Sequence, residues 1–84
     1  MPKPRSFSGK KNLISRQLIT LRKQHNLSQR DLARKLQLLG YDIDKNVITR
    51  IETNKRYVTD IELKAFSTLF QVSYDALIDN EISE

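Results

Sequence analysis

Leu27-Ser28-Gln29-Arg30-Asp31-Leu32-Ala33-Arg34-Lys35-Leu36, then, after six residues, Ile43-Asp44-Lys45-Asn46-Val47-Ile48-Thr49-Arg50-Ile51-Glu52-Thr53-Asn54-Lys55-Arg56-Tyr57, is the stretch that decides how this chain folds. It reads as two short helices, each with its own start signal. Ser28 and Asp31 stand as S-x-x-D, a pair able to satisfy two free backbone N–H groups reciprocally. Leu32, Leu36 and Leu39 follow at helical spacing with the small Ala33 beside them, and Gly40 stops the run. Asp44 is a good N-cap for the next helix. Ile48 and Ile51 face inward there, while Lys45, Asn46, Thr49 and Arg50 face out. Asn54 stands where the closing turn wants a residue tolerant of positive φ.

Working outward, a first helix is expected over residues 13–25. Asn12 serves as its N-cap, and Ile14, Leu18 and Leu21 form one buried stripe. His25-Asn26 ends it, with Asn26 suited to a left-handed conformation. A fourth helix opens on the T-x-x-E box of Thr59 and Glu62. Its stripe is Leu63, Phe66 and Phe70, widened by Ile61, Ala65 and Leu69, and Val72-Ser73 breaks it. A last short helix over 73–78 offers Tyr74, Leu77 and Ile78. No strand pattern or internal repeat is visible, so the expected fold is all-α with five helices over residues 12–79. Residues 1–11, basic with Phe7 their only large apolar side chain, are expected to be a disordered arm or one that settles on a polyanion. Residues 80–84 are expected to fray as an acidic tail.

Eighty-four residues make one domain with a modest core. The absence of cysteine excludes a disulfide framework and thiolate metal sites. No apolar run is long enough for a membrane span or a signal peptide, so a cytoplasmic protein is expected. The net charge of +5 is unevenly spread: residues 1–57 hold fourteen Lys/Arg against four acids, and residues 58–84 hold one against six. A basic front and an acidic back turn one face toward a polyanion.

The third helix has the chemistry to use that face. It is poor in acid, polar on one side and followed at once by Lys55 and Arg56, which suits a helix in the major groove with its flanks on phosphates. Other candidate chemistry has simpler explanations. His25 is a solvated helix cap. Ser28 is a cap with no His–acid pair near it. Asp42 and Asp44 are a loop residue and an N-cap, not a metal site. Phe66, Phe70 and Tyr74 are core and interface residues. No enzyme constellation, phosphate loop, metal site or cofactor is indicated.

The run Leu21-Arg22 … Leu27-Ser28-Gln29-x-x-Leu32-Ala33-x-x-Leu36 … Ile43-Asp44-x-x-Val47-Ile48-Thr49-Arg50-Ile51-Glu52-x-Asn54-Lys55-Arg56 … Leu69-Phe70-x-Val72-Ser73-x-Asp75-x-Leu77 resembles the Cro/lambda-repressor type of helix-turn-helix, the XRE family. The resemblance covers about residues 13–78. It implies a five-helix lambda-repressor-like domain whose second and third helices bind double-stranded DNA. It implies that Lys45, Asn46, Thr49 and Arg50 read base edges. Ser28 and Gln29, with Asn54, Lys55, Arg56 and Tyr57, fall where such proteins hold the DNA backbone. Arg22 and Glu52 match a structural ion pair. One departure stands out: the family's tight turn is lengthened here by five residues between Leu36 and Ile43, expected as one more helical turn plus a longer loop.

The function this implies is a sequence-specific transcription regulator, a repressor that binds a palindromic operator as a homodimer through Tyr74, Leu77 and Ile78. No small-molecule ligand is indicated. A different class of reading is a protein-interaction module, antitoxin-like or accessory, in which Leu77 and Ile78 engage another chain.

Overall fold

The start signals of the sequence become hydrogen bonds in the computed structural model, which describes residues 10–78. Ser28 Oγ accepts from Asp31 N at 3.0 Å, and the Asp31 carboxylate accepts from Ser28 N at 3.2 Å. The Ser28 backbone N–H, then its hydroxyl, then the charges of Arg34 and Lys35 hold the Asp31 carboxyl below its usual pKa. Thr59 and Glu62 form the same box, at 3.1 Å in both directions. Asp44 Oδ1 accepts from Val47 N at 2.9 Å, and Ser73 Oγ from Ala76 N at 3.1 Å. The helices so started are α1 (Ser15–Gln24), α2 (Gln29–Leu38), α3 (Lys45–Glu52), α4 (Asp60–Phe70) and α5 (Tyr74–Leu77). The all-α, five-helix fold is therefore present over the described residues. Residues 1–9 of the expected arm, and the expected tail 80–84, lie outside them.

Each of the first four helices ends on a residue with positive φ: Asn26 (56°), Gly40 (98°), Asn54 (62°) and Gln71 (56°). After α2, Gly40 N donates to Gln37 O at 3.0 Å and Tyr41 N to Leu36 O at 3.0 Å, the paired bonds that absorb the last free carbonyls of a helix. After α3, Asn54 N and Lys55 N make the equivalent bonds to Ile51 O and Arg50 O, at 3.0 and 2.8 Å.

The core gathers Ile14 and Leu18 of the first segment, Leu32 and Leu36 of α2, Ile48 and Ile51 of α3, Phe66 and Phe70 of α4, and Ile43 from the α2–α3 connection. Five sequence expectations change. First, α1 starts at Ser15 and not at residue 13, because Asn12 caps from further upstream: its Oδ1 accepts from both Ile14 N (3.1 Å) and Ser15 N (2.9 Å). Second, α2 gains only Gln37 and Leu38 beyond Leu36, half a turn. The remaining inserted residues form a loop tied by Gln37 Nε2 donating to Ile43 O at 3.3 Å. Third, Leu39 lies past the end of the core and is 52% exposed. Fourth, Ile61 is exposed and does not widen the buried stripe of α4. Fifth, Leu77, expected at a dimer surface, is fully buried. α5 is a single turn packed on α1 and α4, and a domain this small uses its one well-aimed leucine to close its own core. Leu77 has no surface left for a partner.

Gly40 is the hinge of the lengthened connection. A Cβ added there meets nothing within 4 Å, so a substitution changes only backbone strain at φ +98°. Gly40→Ala is expected to lower stability by about 1–2 kcal/mol. In urea titration this should appear as a lower midpoint at unchanged slope.

Candidate nucleic-acid interface

Apolar contact alone leaves a helix free to roll, and α3 is fixed by more than Ile48 and Ile51. The Glu52 side chain at its last turn is only 4% exposed, and a buried carboxylate requires partners. It has three bonds. Arg22 of α1 donates through Nε to Oε2 at 2.7 Å and through Nη2 to Oε1 at 3.1 Å, while Gln29 of α2 donates through Nε2 to Oε1 at 2.8 Å. Arg22 Nη1 also donates to Leu27 O at 2.9 Å, so the α1–α2 turn joins the same cluster. Thr49 Oγ1 of α3 donates to Gln29 Oε1 at 2.7 Å. One polar chain thus runs from Leu27 through Arg22, Glu52 and Gln29 to Thr49, across three helices.

This places two sequence-derived contact residues in a new light. Gln29 spends its carbonyl on Thr49 and one N–H on Glu52, which leaves its second N–H unspent by these bonds at the α2 N-terminus. Thr49 is half-buried; its hydroxyl lies 2.7 Å from Gln29 Oε1 and 3.0 Å from Lys45 O, so its one proton serves an acceptor inside the protein and its oxygen keeps accepting capacity. Lys45, Asn46 and Arg50 are exposed. At helical spacing, the four cover an arc of about 140° opposite the buried isoleucines. Thr53, absent from the residues expected to face DNA, falls within that arc and is exposed, its hydroxyl donating to Thr49 O at 2.8 Å. Its spacing of four from Thr49 and seven from Asn46 was the signal.

The loop after α3 divides into two kinds of residue. Asn54 faces inward: its Oδ1 accepts from Lys11 N (2.8 Å) and Asn12 N (3.1 Å), and its Nδ2 donates to Ser15 Oγ at 3.2 Å. Asn12 answers by donating through Nδ2 to Ile51 O (3.1 Å) and Arg56 O (3.0 Å). Arg56 is paired with the buried Glu62. The sequence accounted for Glu62 fully as a capping residue, which hid this second role. Lys55 and Tyr57 stand exposed, and the Lys11 ammonium lies 5.2 Å from the Tyr57 ring centroid. Ser28 remains at the α2 N-terminus with its hydroxyl engaged in the capping box. Of the expected partner-facing residues, Tyr74 is exposed and Ile78 half-buried.

A helix held this firmly, polar and basic outward, between the N-terminus of α2 and a basic loop, is the geometry of a groove-reading module. The sequence model of the helix-turn-helix family matches residues 18–77, most of the chain. The protein belongs to this family, in its XRE type, whose members are DNA-binding transcription regulators. No curated protein and no solved structure matches the chain. Among the described residues no helix is long and apolar enough to cross a membrane.

Removing Glu52 leaves Arg22 and Gln29 without their acceptor. Glu52→Ala is expected to cost about 3 kcal/mol in chemical denaturation. Combined with Arg22→Ala in a double-mutant cycle it should show a coupling of about 1–2 kcal/mol, whereas additive losses would mean the pair does not hold α3.

Proposed function

We propose that the protein is a sequence-specific repressor that occupies a palindromic operator as a two-fold dimer, with α3 of each protomer in successive major grooves about 34 Å apart. The observation that carries this reading is the outward face of α3. Lys45, Asn46 and Arg50 are exposed on a helix whose orientation is set by the Glu52 cluster. Lys45 and Arg50 donate to guanine O6 and N7, Asn46 pairs with adenine N6 and N7, and Thr49 accepts from an exocyclic amine. Lys55 and Tyr57 flank the groove on the sugar-phosphate backbone, and Gln29 offers its remaining N–H to a phosphate. Asn54 and Arg56 serve the interface indirectly, by shaping the loop. With Leu77 buried, the dimer surface is carried by Tyr74 and Ile78. Repression follows from occupying promoter DNA.

Selection of bound duplexes from a random pool at near-physiological salt tests the reading: an enriched palindrome supports it, and retention of all sequences alike refutes it. On the selected site, Asn46→Ala is expected to lose about 1–3 kcal/mol of affinity while binding to random duplex is unchanged. Lys55→Ala should instead weaken binding to every duplex and reduce the salt slope by about one unit. Equal losses on both kinds of DNA for Asn46→Ala would remove it from base reading.

A further inference from the structure

The lengthened α2–α3 connection leaves an apolar feature that DNA binding does not use. Leu38 is 81% exposed and Leu39 52% exposed, side by side at the C-terminal end of α2. They are held on a firmly closed helix end, since Gly40 N and Tyr41 N bond back to Gln37 O and Leu36 O. With Leu27, Leu69, His25 and Lys35 they line a groove of about 520 Å³ between the C-terminal ends of α1, α2 and α4. Leu38 lies nine residues beyond Gln29, about 13 Å along the helix from its DNA-facing start.

Charge identifies what fits this groove. Arg34 and Lys35 precede Leu38 and Leu39 by four residues each, so every exposed leucine has a cation one turn before it on its own side of the helix. Asp31, one turn further back, is engaged with Ser28. No carboxylate lines the groove. Nucleic acid satisfies the cations but not the leucines. A second copy docking groove to groove about a two-fold axis satisfies the leucines but sets Arg34 and Lys35 against their own copies.

We propose that this groove docks an acidic amphipathic segment of a partner protein, with apolar side chains seated on Leu38 and Leu39 and flanking carboxylates on Arg34 and Lys35. Because the groove is displaced from α3, the partner binds the free and the DNA-bound protein alike. A regulator with this surface is joined to another protein through the very residues that lengthen its helix-turn-helix.

The test uses the full ¹⁵N-labelled chain and two synthetic helix-forming peptides of roughly 16 residues. Both carry leucines at i, i+3, i+4 and i+7; one has glutamate on the flanks and the other glutamine. The expected result is saturable shift changes at Leu27, Leu38, Leu39 and Leu69 with the glutamate peptide, at least about fivefold tighter than with the glutamine peptide. The preference should disappear in the Arg34→Gln/Lys35→Gln double variant, which is unaltered in the core and confirmed folded by its spectrum. Equal affinity for the two peptides, or shifts elsewhere, overturns the proposal. So do concentration-dependent shifts at the same leucines without peptide, which would assign the groove to a second copy. Shifts at those leucines on removing residues 79–84 would assign it to the chain's own end, with the same consequence.

Discussion

A carboxylate buried where three helices meet organises this molecule. Glu52 is nearly excluded from water and would be costly there alone. Its bonds to Arg22 and Gln29 offset that cost, and they also decide geometry, because two planar donors approaching from different helices leave α3 a single roll angle. Isoleucine contacts at Ile48 and Ile51 supply attraction without direction. The direction comes from the polar cluster, which passes through Gln29 to Thr49 on the outward side of α3. The residue that holds α3 in place thus also sets where its outward face points, without reaching the surface itself.

What the sequence revealed and what it hid follow from the range of each interaction. Local signals survived well: the boxes at Ser28/Asp31 and Thr59/Glu62, the cap at Asp44 and the left-handed endings at Asn26 and Asn54 depend on neighbours within about five residues. Helical periodicity likewise located Leu18, Leu32, Leu36, Ile48, Ile51, Phe66 and Phe70 in the core. Periodicity failed where the question was how far an element extends past its neighbours. Leu39 continues the stripe of Leu32 and Leu36 in register, yet it is the residue after the last turn of α2 and stands half exposed. Leu77 looked like a surface residue because nothing in a one-turn helix tells which apolar side chain turns inward.

Long-range polar pairing was the other blind spot. Asn54 carries every local mark of a loop residue beside a DNA backbone, yet its carbonyl and one of its two N–H groups are taken by residues 11, 12 and 15, about forty positions earlier. Asn12 and Asn54 act as reciprocal clips: each side chain satisfies backbone or hydroxyl groups of the other's segment. The consequence is that the segment around Lys10 and Lys11 enters the fold against the loop bearing Lys55 and Tyr57. The basic residues on either side of that junction thus belong to one surface, although the sequence separates them by the whole of α1 to α3.

The domain divides its surface by charge and by polarity along α2. At its N-terminus, free N–H groups, Gln29 and the adjoining α3 offer donors to an anion. At its C-terminus, the added half turn and the C-cap after it carry Leu38 and Leu39 past the core, one turn beyond Arg34 and Lys35, where they line a groove. Covering a leucine contributes about 1.5–3 kcal/mol, so leaving two uncovered on a rigid helix end forgoes stability that a polar pair would not risk. The connection did not need them to span the distance to α3, since the closing bonds at Gly40 and Tyr41 are backbone bonds indifferent to side-chain type. The choice of leucine at both positions is therefore explained by contact with something outside this chain's own core.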